Sequence, residues 1–122
     1  MDFSELRKFQ KNEKRSRLGV LPDDFYEQVQ EYCKNLKENN DFNTFSNVLS
    51  IVETIRHQRL TKLFNIAVGY LYHHTQEEDL DKLTEYAPNL ISSEVALLRD
   101  IIKSLQKHDH YLTSECEYLK KK

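Results

Sequence analysis

The chain has 122 residues, of which 39% are hydrophobic and 31% charged, with only two glycines and two prolines. One domain is the default at this length, able to bury roughly two-thirds of its unfolded surface without disulfide or metal support. An all-β fold needs a turn signal about every ten residues and these are absent, so the composition predicts an all-α protein. No apolar run approaches the ~20 residues needed to span a bilayer, and the N-terminus has no signal-peptide core. The expected setting is the cytoplasm, or the nucleus in a eukaryote, with no membrane partner.

The formal net charge is −2, unevenly spread. Residues 1–17 carry Arg7, Lys8, Lys11, Lys14, Arg15 and Arg17 against Asp2, Glu5 and Glu13, giving +3 and leaving −5 for residues 18–122. Arg7, Lys8, Lys11, Lys14 and Arg15 are candidates for phosphate contact, although a solvated helix face is the favoured reading: Phe9 is their one aromatic companion and no base-reading module accompanies them.

Five helices are predicted in chain order. The first spans about Phe3–Arg15, with Phe3, Leu6 and Phe9 opposite a basic face. Pro22 is expected as the first residue of the second, with Asp23 and Asp24 in its first turn, and with a stripe of Phe25, Val29, Tyr32, Cys33 and Leu36. The third and longest runs from about Phe42 to His74 on Phe45, Val48, Leu49, Val52, Ile55, Leu63, Ile66 and Tyr70. Thr75-Gln76-Glu77-Glu78 resembles a capping box opening a short fourth helix that Pro88 stops. Ser92 or Ser93 caps the fifth, which is expected to reach about Lys120 on Val95, Leu98, Ile101, Ile102, Leu105, Leu112 and Leu119. Two long helices joined by a short one suggest an elongated antiparallel bundle, a single helical domain. The third would be about 45–50 Å long. A compact domain of this size has a radius of gyration of about 14 Å. Some of the long helices' apolar surface is therefore expected to find cover outside the chain, and Tyr70 and Tyr111 are candidates for a subunit interface.

No catalytic, cofactor or metal constellation is legible. His73 and His74 diverge by about 100° on a helix, and His108 and His110, on either side of Asp109, also point in different directions. Neither Cys33 nor Cys116 has a CxxC partner, and both are expected as reduced, partly buried thiols. Glu77, Glu78, Asp79 and Asp81 read as first-turn acids that suit a helix dipole. The expectation is a non-enzyme without cofactors.

Arg56, Arg59 and Lys62 carry more information. Arg59 stands four residues from both Ile55 and Leu63, so it points along the apolar seam, where a charge must be paired. A carboxylate of the second or fifth helix is the favoured partner, and an ion pair across a subunit interface is the alternative.

The same residues carry a family likeness. Glu13-Lys14-Arg15, then Leu21-Pro22-Asp23-Asp24-Phe25-Tyr26 and Val29, resemble the start of archaeal GINS subunits whose helical domain comes first. Arg56-His57-Gln58-Arg59-Leu60-Thr61-Lys62-Leu63 is similar to the family's "RxxRxxKI" segment, with Leu63 where isoleucine is usual. Ser93-Glu94-Val95-Ala96-Leu97-Leu98 is similar to its "sxEexxl" helix. The resemblance implies a structural, non-catalytic subunit of a four-subunit DNA replication factor, homomeric or heteromeric, that joins the MCM helicase and a RecJ-like protein at the fork. Contact with DNA would be weak or indirect and the location cytoplasmic, at the nucleoid. Family members usually carry a small β-domain after the helices. None lies within residues 1–122, so the likeness is to the helical domain alone, and the expectation is a gene that continues into such a domain or a naturally short version. The rival reading is a free-standing helical nucleic-acid binder that uses the basic N-terminal stretch.

Overall fold

In the computed structural model, Asp41 sets the start of the longest helix. Its Oδ1 accepts from the Thr44 N–H at 3.2 Å and its carbonyl from the Phe45 N–H, satisfying two donors that a helix start otherwise leaves open. The structure describes residues 1–73, 87–116 and 118. Within them lie four helices and no strand: α1 (Phe3–Glu13), α2 (Phe25–Glu38), α3 (Phe42–His73) and α4 (Ser92–Glu115). The chain is all-α among the described residues. The short helix expected from Thr75 onward lies outside them; the last helix ends at Glu115, short of the expected Lys120, because Cys116 has already left the helix.

Two compact units divide the chain: residues 1–62 with 89–91, and residues 63–88 with 92–122. In the first, α1 opens on Asp2, whose side chain accepts from the Glu5 N–H at 2.8 Å. The helix ends at Glu13, two residues before the expected Arg15, and Lys14 caps it. Pro22 is not the first residue of α2 as expected. Its carbonyl accepts from the Phe25 N–H at 3.0 Å, closing a turn that places Pro22, Asp23 and Asp24 ahead of the helix. After α2, Asn40 adopts a left-handed φ of 56° while the Asp41 N–H reaches back to the Leu36 carbonyl at 2.9 Å. That stop is typical of a helix turning sharply into the next, and it folds α3 back against α2.

The core of this unit takes Leu6 from α1, Leu21 from the connection, Phe25, Val29 and Leu36 from α2, and Val48, Ile51, Val52 and Ile55 from α3, with Ile91. Phe9 meets Phe25 edge-on with ring centroids 5.5 Å apart, a geometry that sets a positive ring edge on a negative face. The stripe of α3 departs slightly from expectation: Ile51 is buried while Leu49 is exposed.

The second unit holds the C-terminal part of α3 and α4. Leu63, Ala67 and Tyr70 are buried on α3 and Leu98 and Ile102 on α4, each set recurring every three or four residues as one helix face must. Ala67 takes the seam position where Ile66 was expected; Ile66 is only partly buried. Leu112, expected on the inner stripe of the last helix, is exposed.

Candidate functional site

One site stands out in the first unit, and it is built around a charge inside the core. Arg59 occupies the apolar stripe of α3 between Ile55 and Leu63 and is 1% exposed. Its Nη1 donates to Glu13 Oε1 at 2.7 Å and to the Gly19 carbonyl at 2.8 Å, and Nη2 donates to the Asn89 carbonyl at 3.0 Å. Three residues on, Lys62 donates from Nζ to Glu13 Oε2 at 2.6 Å, to the Glu13 carbonyl and to the Arg17 carbonyl.

Glu13 is thus gripped from three sides. Its Oε2 also accepts from the Gly19 N–H at 3.0 Å. Glu13 is the last residue of α1, where a backbone carbonyl has no partner within the helix, and Lys62 supplies a cation there. The Asn89 amide closes the arrangement by donating to the Leu18 carbonyl at 3.3 Å, with Asn89 held at a φ of 74°. Four parts of the chain, α1, the Arg17–Gly19 turn, α3 and Asn89, are tied by one set of charge-assisted bonds.

Electrostatics follow from that geometry. Burial pushes the Glu13 carboxyl up, but the Gly19 N–H, Lys62 and Arg59 outweigh it and hold the group below its ordinary value. Glu13 is a permanent anion at neutral pH and its side chain is fully covered. A carboxylate that accepts three bonds and is fully covered is placed to tie these segments together. Gly19 keeps this approach uncrowded: a Cβ there would lie 3.1 Å from Glu13 Oε1, so a side chain would press on the carboxylate.

The other sequence candidates scatter. Arg56 does not join Arg59 and Lys62; it is exposed and pairs with Glu53 at 3.6 Å one turn back. Tyr70 is 3% exposed and lies within the second unit, whereas Tyr111 is 60% exposed on α4. Arg7, Lys8, Lys11, Lys14 and Arg15 are all exposed. Arg7 donates to Gln10 Oε1 at 3.3 Å and sits 5.7 Å from the centre of the Phe3 ring. The partner of Arg59 comes from α1 rather than from α2 or the last helix, where it was sought. Glu13, Gly19 and Asn89 were not singled out in sequence as its companions.

A second feature is a groove of about 660 Å³ between α2 and α3, lined chiefly by Tyr26, Val29, Cys33, Lys37, Phe45 and Leu49. Burial pushes the Cys33 thiol up, so it stays protonated at neutral pH. Both cysteines are free and half-buried.

Among the described residues, no group of three or more His, Cys, Asp or Glu is placed to hold a metal ion. His108 and His110 are exposed on α4; Glu77, Glu78, Asp79 and Asp81 lie outside the described residues. No described helix is long and apolar enough to cross a membrane. Compared with protein-family models, with curated proteins and with solved structures, the chain matches none.

Proposed function

We propose that the chain is a non-catalytic helical interaction module, a structural subunit that joins a larger assembly through its helix faces. The observation that carries this reading is apolar surface left outside the cores. In the second unit Phe64, Leu97, Tyr111 and Leu112 are exposed, and in the first Phe42 and Leu49. Single exposed apolar residues are ordinary, but several on the same helices make a surface suited to another protein.

The specific form of the proposal follows the GINS resemblance. Glu13 and the Arg59–Lys62 pair come from two separate segments that carry the likeness, and they meet in one buried cluster. That meeting supports reading the two segments as parts of one design. On this reading the helices form an elongated antiparallel bundle of about five, in an archaeal replication factor. Its partners are sister GINS subunits, the MCM helicase and a RecJ-like protein, in the cytoplasm at the nucleoid.

Light scattering on the purified chain, alone and mixed with an archaeal MCM helicase, tests it. The expected result is a mass above the 14.6 kDa of one chain, lowered by Tyr111→Asp with helicity intact. A single-chain mass in both samples at tens of micromolar overturns it.

A further inference from the structure

We infer that the cationic face of α1 and of the turn that follows it binds the phosphate backbone of a nucleic-acid duplex. At about 100° per residue, Arg7, Lys8, Lys11 and Lys14 fall within a sector of about 120°, which only Ser4 shares and no carboxylate enters. Arg15 and Arg17 follow in the turn, and all six cations are exposed.

Two features of the fold make this surface more positive than the sequence count suggests. In sequence the resemblance implies weak or indirect contact with DNA, and Asp2, Glu5 and Glu13 offset half of the six cations. Yet Glu13 is turned inward and neutralised by Arg59 and Lys62, two cations against one carboxylate. Asp2 is engaged as the cap of α1, at the end of the helix away from Lys11 and Lys14. Among the described residues, Lys8, Lys11, Lys14, Arg15 and Arg17 make no ion pair and their side chains make no hydrogen bond. The surplus cation of the buried cluster also lies close behind, because Lys62 Nζ bonds the Arg17 carbonyl at 2.9 Å.

The cluster fixes the surface as well as charging it. Arg17 and Gly19 are both held by their backbone, so the turn presenting Arg15 and Arg17 is set before any ligand arrives. The chemistry of the face selects the partner. Phe3 and Phe9 are turned toward the core and are half-buried. Within the helix sector itself there is no ring on which an unpaired base could stack, the Phe3 ring at its edge lying under Arg7, and no apolar side chain to enter a lipid surface. What it offers is a run of point charges, which suits stacked bases enclosed behind two rows of phosphates. Binding is then sequence-independent and steeply salt-dependent. This surface rests on α1 and its following turn, and stands whether or not the chain is an assembly subunit.

The test is fluorescence anisotropy with a labelled DNA duplex of random sequence, run against salt. With four to six phosphates neutralised, the logarithmic slope should be about −3.5 to −5.5, a loss of at least about a hundred-fold between about 50 and 200 mM salt. The combined variant Lys8→Gln, Lys11→Gln, Lys14→Gln and Arg15→Gln should keep its far-ultraviolet circular dichroism. It should bind at least about tenfold more weakly at low salt, with a slope shallower by about 3–4. Lys103→Gln with Lys107→Gln, on the exposed side of α4, should leave the affinity unchanged. The single strand of the same sequence should bind less tightly than the duplex. No duplex binding at low salt overturns the inference, as does equal affinity in the combined variant. Tighter binding to phosphatidylserine vesicles or to polyglutamate than to the duplex would assign the face to a membrane or an acidic protein instead.

Discussion

Glu13 and Arg59 are 46 residues apart in sequence and 2.7 Å apart in space, and both side chains are shut off from solvent. A buried ion pair is weak support for stability in itself, because removing two charges from water costs much of what their attraction returns. Breaking one is different. Arg59→Ala leaves the Glu13 carboxylate with Lys62 and Gly19 alone, and should destabilise the fold by about 3–5 kcal/mol in urea unfolding. Arg56→Ala, three residues away on the exposed face, should cost under about 0.5 kcal/mol.

Acid should find the same cluster. The Glu13 carboxyl is held below its unfolded value of about 4.3. Its contribution is therefore complete above about pH 4.3 and is lost as pH falls through the lower folded value. The melting temperature should drop on acidification in that window. Glu13→Gln should lower stability at neutral pH and flatten the acid limb; an acid limb identical in both proteins would mean that Glu13 does not titrate differently on folding.

Gly19→Ala probes the close approach directly. The added methyl would stand 3.1 Å from Glu13 Oε1 and 3.5 Å from Glu13 Cδ. The Gly19 φ is not left-handed, so crowding rather than backbone strain is the cause. The expected loss is about 1–3 kcal/mol, and it should shrink in a Glu13→Ala background, where the crowded carboxylate is gone. An equal loss in both backgrounds would place the strain elsewhere.

Tyr70 and Tyr111 were paired as interface candidates, and their surroundings now separate them. Tyr70→Asp puts a charge into the buried face of α3 and should cost more than about 3 kcal/mol. Tyr111→Asp, on an exposed position of α4, should leave the melting temperature within error and act only on assembled mass. Equal destabilisation by the two substitutions would contradict this division.

Much of this was readable from the chain. The seam position of Arg59 follows from its spacing to Ile55 and Leu63, and the all-helical class follows from the scarcity of glycine and proline. The identity of its partner did not follow, because Glu13 sits in a run of charges that reads as a solvated helix end. The signal was present in weaker form: Leu6, Phe9 and Glu13 share one helix face, so a carboxylate stood on the apolar stripe of α1. Asn89 could not be found this way. It reaches Arg59 through its backbone carbonyl, a contact set by the path of the chain and not by side-chain type. The shift of Pro22 out of α2 has a similar origin: as the first residue of an i to i+3 turn it contributes only a backbone carbonyl, which says nothing in the side-chain pattern.

The most direct test that the two charged segments act as one unit is a double-mutant cycle between Glu13→Gln and Arg59→Met, read by urea unfolding at neutral pH. The two residues touch, share Gly19 and are both buried, so their effects should be far from additive. The predicted coupling energy is about 2–3 kcal/mol, with the double variant more stable than the sum of the single losses implies. A coupling energy below about 0.5 kcal/mol, the level of independent sites, would contradict the claim that Glu13 and Arg59 hold the fold together as a pair.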